Sequence, residues 1–200
     1  MGAAVTVGAL VYLGNTAFAT TGPGVDVKAV SSSPAPKVPD PFGWLVARPA
    51  PSAWKQHSLP NGAGVLSYPP DLHVTKGDPG SFSVALVNRG SYVAYLNATP
   101  QQGDEQLSGW ARFRVGHLLD DDASSVHEDA SVGSRPFLGG RGSCVIDDYV
   151  TKVGLHRFHE IACIVSGTRH ESVVIAAAPP SDWVRLGPTL ERAVASYEVH

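Results

Sequence analysis

At 200 residues, 43% of them hydrophobic and 16% charged, the chain holds enough apolar material for the core of one domain, and it carries fewer charges than the roughly 25% of an average soluble protein. The net charge of −3 and the absence of any Lys/Arg run exclude the electrostatic footprint of a nucleic-acid binder. The abundance of Ala, Gly, Val and Pro reflects a GC-rich bacterial genome and is silent about function.

The stretch "GAAVTVGALVYLGNTAFA" is uncharged and about as long as a bilayer core requires. It closes on Ala17-Phe18-Ala19, which fits the small-x-small pattern before a signal-peptidase cut. Asn15 and Thr16 interrupt the apolar run, and no basic segment precedes it. Residues 1–19 are therefore expected to be a signal peptide whose true start of translation lies further upstream, or an uncleaved membrane anchor. Residues 20–53 read as a Pro-rich linker, because Pro23, Pro34, Pro36, Pro39, Pro41, Pro49 and Pro51 deny it regular hydrogen bonding. The apolar cluster Phe42-Gly43-Trp44-Leu45-Val46 interrupts this linker. It is expected to dock on the domain, with contact to a membrane surface as the alternative.

The domain is expected over residues 54–200. "AGVLSYP" (63–69) and "SFSVALV" (81–87) alternate with period two, as half-buried strands do. "SYVAYLNAT" (91–99) follows the turn Asn88-Arg89-Gly90 and completes a hairpin. "DEQLSGWARFRVGHLL" (104–119) reads as a helix, with Leu107, Trp110, Arg114 and Leu118 at helical spacing. The acidic "DDDASSVHED" (120–129) reads as a solvated connection. "SVVIAAA" (172–178) is almost wholly apolar, the signature of a central strand covered on both faces. "SDWVRLGPTLERAVASYEV" (181–199) reads as a closing helix, with Ser181 or Asp182 as N-cap and Gly187-Pro188 as a break or restart. The sum is an α+β domain: an antiparallel sheet of about five to seven strands, sandwiched by helices.

Cys144 and Cys163 are the only cysteines. Folding "GSCVIDDYVTKVGLHRFHEIACIVSG" about Val153-Gly154 places Cys144 opposite Cys163, Asp147 opposite Glu160, and Asp148 opposite His159. Residues opposed in this way have Cα atoms roughly 4.5–5.5 Å apart, within reach of a disulfide. In an exported protein the pair is most simply a structural staple. A redox pair would want a CxxC or a cysteine at a helix start. A zinc site recruiting His156 or His159 would want close-spaced ligands.

The same register gathers Asp147, Asp148, His156, His159 and Glu160 into a candidate polar cluster. It is either a catalytic or divalent-ion site, or a set of opposed carboxylates neutralised by Arg141, Arg157 or an arginine on the helix. Neutralisation is the expected outcome, so no metal, no cofactor and no catalytic residue is assigned. No G-x-S-x-G elbow supports a serine hydrolase. The glycines of "FLGGRGSC" precede a strand and not a helix, which makes a hairpin loop of them and not a phosphate cradle.

The order of these signals resembles the PsbP-like superfamily and is similar to the mycobacterial LpqN-type envelope proteins. The resemblance runs from "W…GAGVLSYPPDLHV" through "GDPGSFSVALV" to "VVIAAAPPSDW…LERAVASYEV", about residues 54–199. It implies an antiparallel sheet between helices and a non-enzymatic accessory or binding role. The paired cysteines lie outside its general pattern, and no functional residue carries over. The expected function is therefore an extracytoplasmic, membrane-anchored or secreted envelope module without chemistry of its own. Its partner would be an envelope protein or a small ligand. The alternatives are a hydrolase or metal-dependent enzyme built on the five-residue cluster, and a structural subunit of an envelope complex. A deep pocket collecting the five would favour the enzyme, a broad apolar patch a protein partner, and a shallow aromatic groove a small ligand.

Overall fold

The computed structural model describes residues 39–200; the signal or anchor segment expected over residues 1–19 and most of the expected linker lie outside them. Twelve regular elements follow in order: β1 (Lys55–Ser58), β2 (Gly64–Tyr68), β3 (His73–Thr75), β4 (Phe82–Asn88), β5 (Ser91–Pro100), α1 (Trp110–Asp121), β6 (Ala123–Phe137), β7 (Gly140–Thr151), β8 (Arg157–Ser166), β9 (Glu171–Ala178), α2 (Pro180–Ala195) and β10 (Glu198–Val199). Seven strands form one antiparallel sheet in the order β3-β4-β5-β9-β8-β7-β6, and β1-β2-β10 form a small second sheet. The α+β architecture is that expected from the sequence. Among the described residues no helix is long and apolar enough to cross a membrane.

Because side chains alternate along each strand, the large sheet has two distinct faces. One presents Ile146, Ile161, Val174, Ala176 and both cysteines to a core closed by Leu190, Ala193 and Val194 of α2, by Leu66 and Tyr68 of the small sheet, and by Phe42 and Leu45. The apolar cluster of the Pro-rich stretch thus docks on the domain, with Phe42 at 2% and Leu45 at 4% exposure. The other face presents Val145, Ala162, Ile164 and Val173 to Trp110 of α1.

The apolar β9 is a central strand between β5 and β8, as its composition demands. Three elements differ from the sequence reading. Helix α1 starts at Trp110 and not at residue 104, because Gly109 takes a left-handed φ of 81° that ends helical continuation backwards. Of the acidic connection, Asp120 and Asp121 end α1, and residues 123–129 are the first half of the 15-residue edge strand β6. An edge strand pairs on one side only, and charged side chains on its open side guard it against pairing with other chains, so its polarity mimics a loop. Helix α2 has Pro179 and not Ser181 or Asp182 at its N-cap, and it stops at Ala195, so that Glu198–Val199 pairs as β10. It runs unbroken through Pro188. The carbonyl that loses its donor there belongs to Val184, an exposed residue open to water.

The β7–β8 ladder has the register read from the sequence: Cys144 opposite Cys163, Asp147 opposite Glu160, Asp148 opposite His159. Cys144 and Cys163 are disulfide-bonded, 19 residues apart in sequence, and both are buried. Closing a loop of about 20 residues contributes on the order of 3 kcal/mol in the chain-entropy description. Replacing both cysteines by serine is expected to lower stability by about 2–4 kcal/mol in urea denaturation. Intact mass should rise by two protons on reduction of the native protein.

Candidate functional site

Parity along β7 and β8 decides where the candidate polar residues go. Asp147 and Glu160 share the face beneath α1, and Asp148 and His159 share the face beneath α2. His156 lies in the exposed β7–β8 turn, where its backbone N–H donates to Thr151 Oγ1 at 3.0 Å. The five residues therefore do not form one cluster.

On the α1 face, the helix holds the sheet through a stripe at i, i+4 and i+8. Trp110 and Leu118 are buried, and Trp110 Nε1–H donates to the Ala162 carbonyl at 2.9 Å. Between them Arg114 makes a two-pronged contact with Glu160: Nε–H donates to Oε1 at 2.7 Å and Nη2–H to Oε2 at 2.9 Å. A helix arginine thus pairs with Glu160 but forms no hydrogen bond to the opposed Asp147. Glu160 is 1% exposed and Asp147 0%. Both Asp147 oxygens lack a hydrogen-bond partner among the described residues. Burial, reinforced by the Glu160 carboxylate and opposed by Arg114, pushes the Asp147 carboxyl up to about 8. The site favours the neutral acid, because one guanidinium serves two carboxylates.

Helix α1 covers only part of this face. Beside it lies a groove of about 620 Å³. Tyr95, Asn97 and Ile175 floor it, Phe113 and Phe158 flank it, and Arg114 and Glu160 lie at its base. A hydroxyl–amide network fixes the floor: Asn97 Nδ2 donates to Ser83 Oγ at 2.8 Å, and the Tyr95 hydroxyl shares a 3.1 Å hydrogen bond with the same oxygen. Burial raises the Tyr95 hydroxyl above its ordinary range, so it remains a neutral donor and acceptor. Aromatic rings with a few fixed polar groups are what a small amphipathic ligand requires. Sequence reasoning read "SYVAYLNAT" only as a strand. The alternation of Tyr95, Asn97 and Thr99 on one side was the signal for a polar surface lining an open groove.

On the α2 face, His159 Nδ1–H donates to Asp148 Oδ1 at 2.7 Å, and Asp129 Oδ2 lies 3.8 Å from the same nitrogen. Trp183 meets the imidazole edge-on, with ring centroids 4.3 Å apart. Asp129 was not among the residues singled out from the sequence, because a loop was expected where β6 pairs with β7.

No protein-family model and no curated protein matches the sequence. Solved structures do match in shape. The cyanobacterial PsbP (CyanoP) of Synechocystis sp. PCC 6803 superposes with a TM-score of 0.51 at 14% identity, over 76% of this chain and 95% of that one. The fold is PsbP-like. LpqN of Mycobacterium tuberculosis, involved in cell envelope biogenesis, aligns over 76% of this chain and 80% of its own, at 14% identity and a TM-score of 0.38. A Bacteroides thetaiotaomicron structure aligns over 74% of this chain at 14% identity and a TM-score of 0.47; the match spans about half of that longer protein, 49% of its length. At such identities the PsbP-like likeness concerns the fold, and function must be argued from this chain's own residues.

Replacing Arg114 by Met strands the Glu160 carboxylate in the interior, and removing one partner of a buried pair typically costs about 3–5 kcal/mol. Urea denaturation should register a loss of that order for Arg114→Met. The double variant Arg114→Met/Glu160→Gln should lose less than Arg114→Met alone, since no unpaired charge remains at position 160.

Proposed function

We propose that this PsbP-like domain is an extracytoplasmic accessory module of the bacterial envelope that binds a small amphipathic ligand in the groove beside α1 and catalyses no reaction. The aromatic and polar lining of that groove carries the reading: rings of Tyr95, Phe113 and Phe158 around fixed hydroxyl and amide groups. The Cys144–Cys163 disulfide supports an oxidising compartment. The division of the acid–base side chains between two faces supports a binding role over catalysis. Glu160 is held by Arg114 and faces away from His159, so the two do not converge on one substrate atom as an acid–base pair must. Anchoring through residues 1–19 and an envelope protein as partner belong to the same proposal and rest on the sequence.

Native mass spectrometry of protein purified from an envelope fraction tests it. A co-purifying small molecule is expected on the wild-type protein. It should be lost in Ile175→Trp, which fills the groove floor with a larger ring, while the circular dichroism spectrum is retained. Retention of the molecule by Ile175→Trp, or wild-type protein free of any molecule after gentle isolation, would contradict the reading.

A further inference from the structure

We propose that Asp129, Asp148 and His159 form a binding site for a divalent ion of the zinc class on the α2 face of the sheet. The two faces treat their carboxylates differently. On the α1 face Arg114 neutralises Glu160. Across the sheet, among the described residues, the ion-pair partners of Asp129 and Asp148 are imidazoles and not arginines or lysines: His127 Nε2 lies 3.5 Å from Asp129 Oδ1, and His159 Nδ1 lies 3.8 Å from Asp129 Oδ2 and 2.7 Å from Asp148 Oδ1.

The dimensions suit a small ion. One donor atom from each of Asp129, Asp148 and His159 falls in a group less than 4.8 Å across. Two ligands on a tetrahedral zinc stand about 3.4 Å apart, from metal–ligand distances of about 2.0–2.2 Å. The 2.7 and 3.8 Å separations from His159 Nδ1 to the two carboxylates bracket that value. On coordination the neutral His159 ring carries its proton on Nε2 and offers the Nδ1 lone pair.

Strand pairing builds the site. Asp148 is opposite His159, so β7 and β8 each contribute from one row. The register shift between Glu128 and Ala130 inserts Asp129 as the extra residue of a bulge, the device by which sheets re-aim a side chain. Trp183 packs on His159 from α2 and restrains the ring, as a supporting shell does for a metal ligand. The indole lies so close to the helix that a Cβ at Gly187 would stand 2.8 Å from Trp183 Nε1, so glycine at 187 makes its position possible. An imidazole beside two carboxylates favours a borderline ion such as Zn²⁺ over Ca²⁺ or Mg²⁺, which take larger or more regular all-oxygen shells.

The test uses tag-free protein with Zn²⁺, Ca²⁺ or Mg²⁺ added alone. Saturating Zn²⁺ should raise the melting temperature by several degrees, because an ion that binds the native state stabilises it, and chelator should reverse the rise. Ca²⁺ and Mg²⁺ should leave it unchanged. Co²⁺ in place of zinc should give the visible absorption of a low-coordinate nitrogen–oxygen site. Asp129→Asn and His159→Ala, each with a native circular dichroism spectrum, should abolish the shift and the Co²⁺ bands. His156→Ala, in the exposed turn, should retain both. A zinc shift absent from the wild type, retained in both site variants, lost in His156→Ala, or equalled by Ca²⁺ would overturn the assignment.

Discussion

One guanidinium answers two buried carboxylates. Asp147 and Glu160 are directly opposed on neighbouring strands and are sealed from solvent. Such a pair is tolerated only with a counterion held in good geometry. Arg114 supplies it with two hydrogen bonds to Glu160, and this fixes how α1 lies. Position 114 sits between Trp110 and Leu118 on one stripe, so the turn of the helix that satisfies Glu160 also buries both apolar neighbours. With α1 held over this part of the sheet, the surface of β5 and β9 beside it stays uncovered. The groove is the consequence, and the ligand-binding reading rests on it.

The sheet acts as a partition. Residues adjacent in sequence, Asp147 and Asp148, end on opposite faces and in opposite electrostatic settings. One is enclosed near an arginine under α1. The other is half exposed beside imidazoles under α2. The disulfide belongs to the α2 side of the same ladder, where it ties together the two strands that carry both polar groups. The strand pair thus serves as staple and as carrier of the titratable residues.

The β7–β8 register was legible because two hydrophobic faces and a glycine-containing turn leave little freedom to slip. The cysteine pairing followed from it, and so did the cross-strand polar pairs. The neutralising arginine was legible as a class, since the stripe of Trp110, Arg114 and Leu118 is helical. The partition of the five-residue cluster was implicit in the same alternation, but listing neighbours along the hairpin hid that parity separates them. Asp129 was not legible, and of the groove only the polar alternation of Tyr95, Asn97 and Thr99 was. A charged edge strand reads as a loop, because half its backbone faces water. A groove depends on how far a helix extends over a sheet, and Gly109 shortened α1 relative to its apolar periodicity.

The measurement nearest to the central claim is the pH dependence of stability for the wild type and Asp147→Asn, by urea denaturation in the presence of chelator. In the native state the Asp147 carboxyl is raised to about 8 from its ordinary 3.8, so between those values the native protein holds a proton that the unfolded chain has released. Stability is then lost as pH rises through this window and levels off above it. Asp147→Asn keeps a neutral side chain at every pH and removes that slope. The account predicts that the variant gains on the wild type steadily from about pH 4 to about pH 8 and keeps a constant lead above. Parallel profiles, or a wild type that gains on the variant across the window, would show that Asp147 is ionised in the native state and that the α1 face does not keep its second carboxyl neutral.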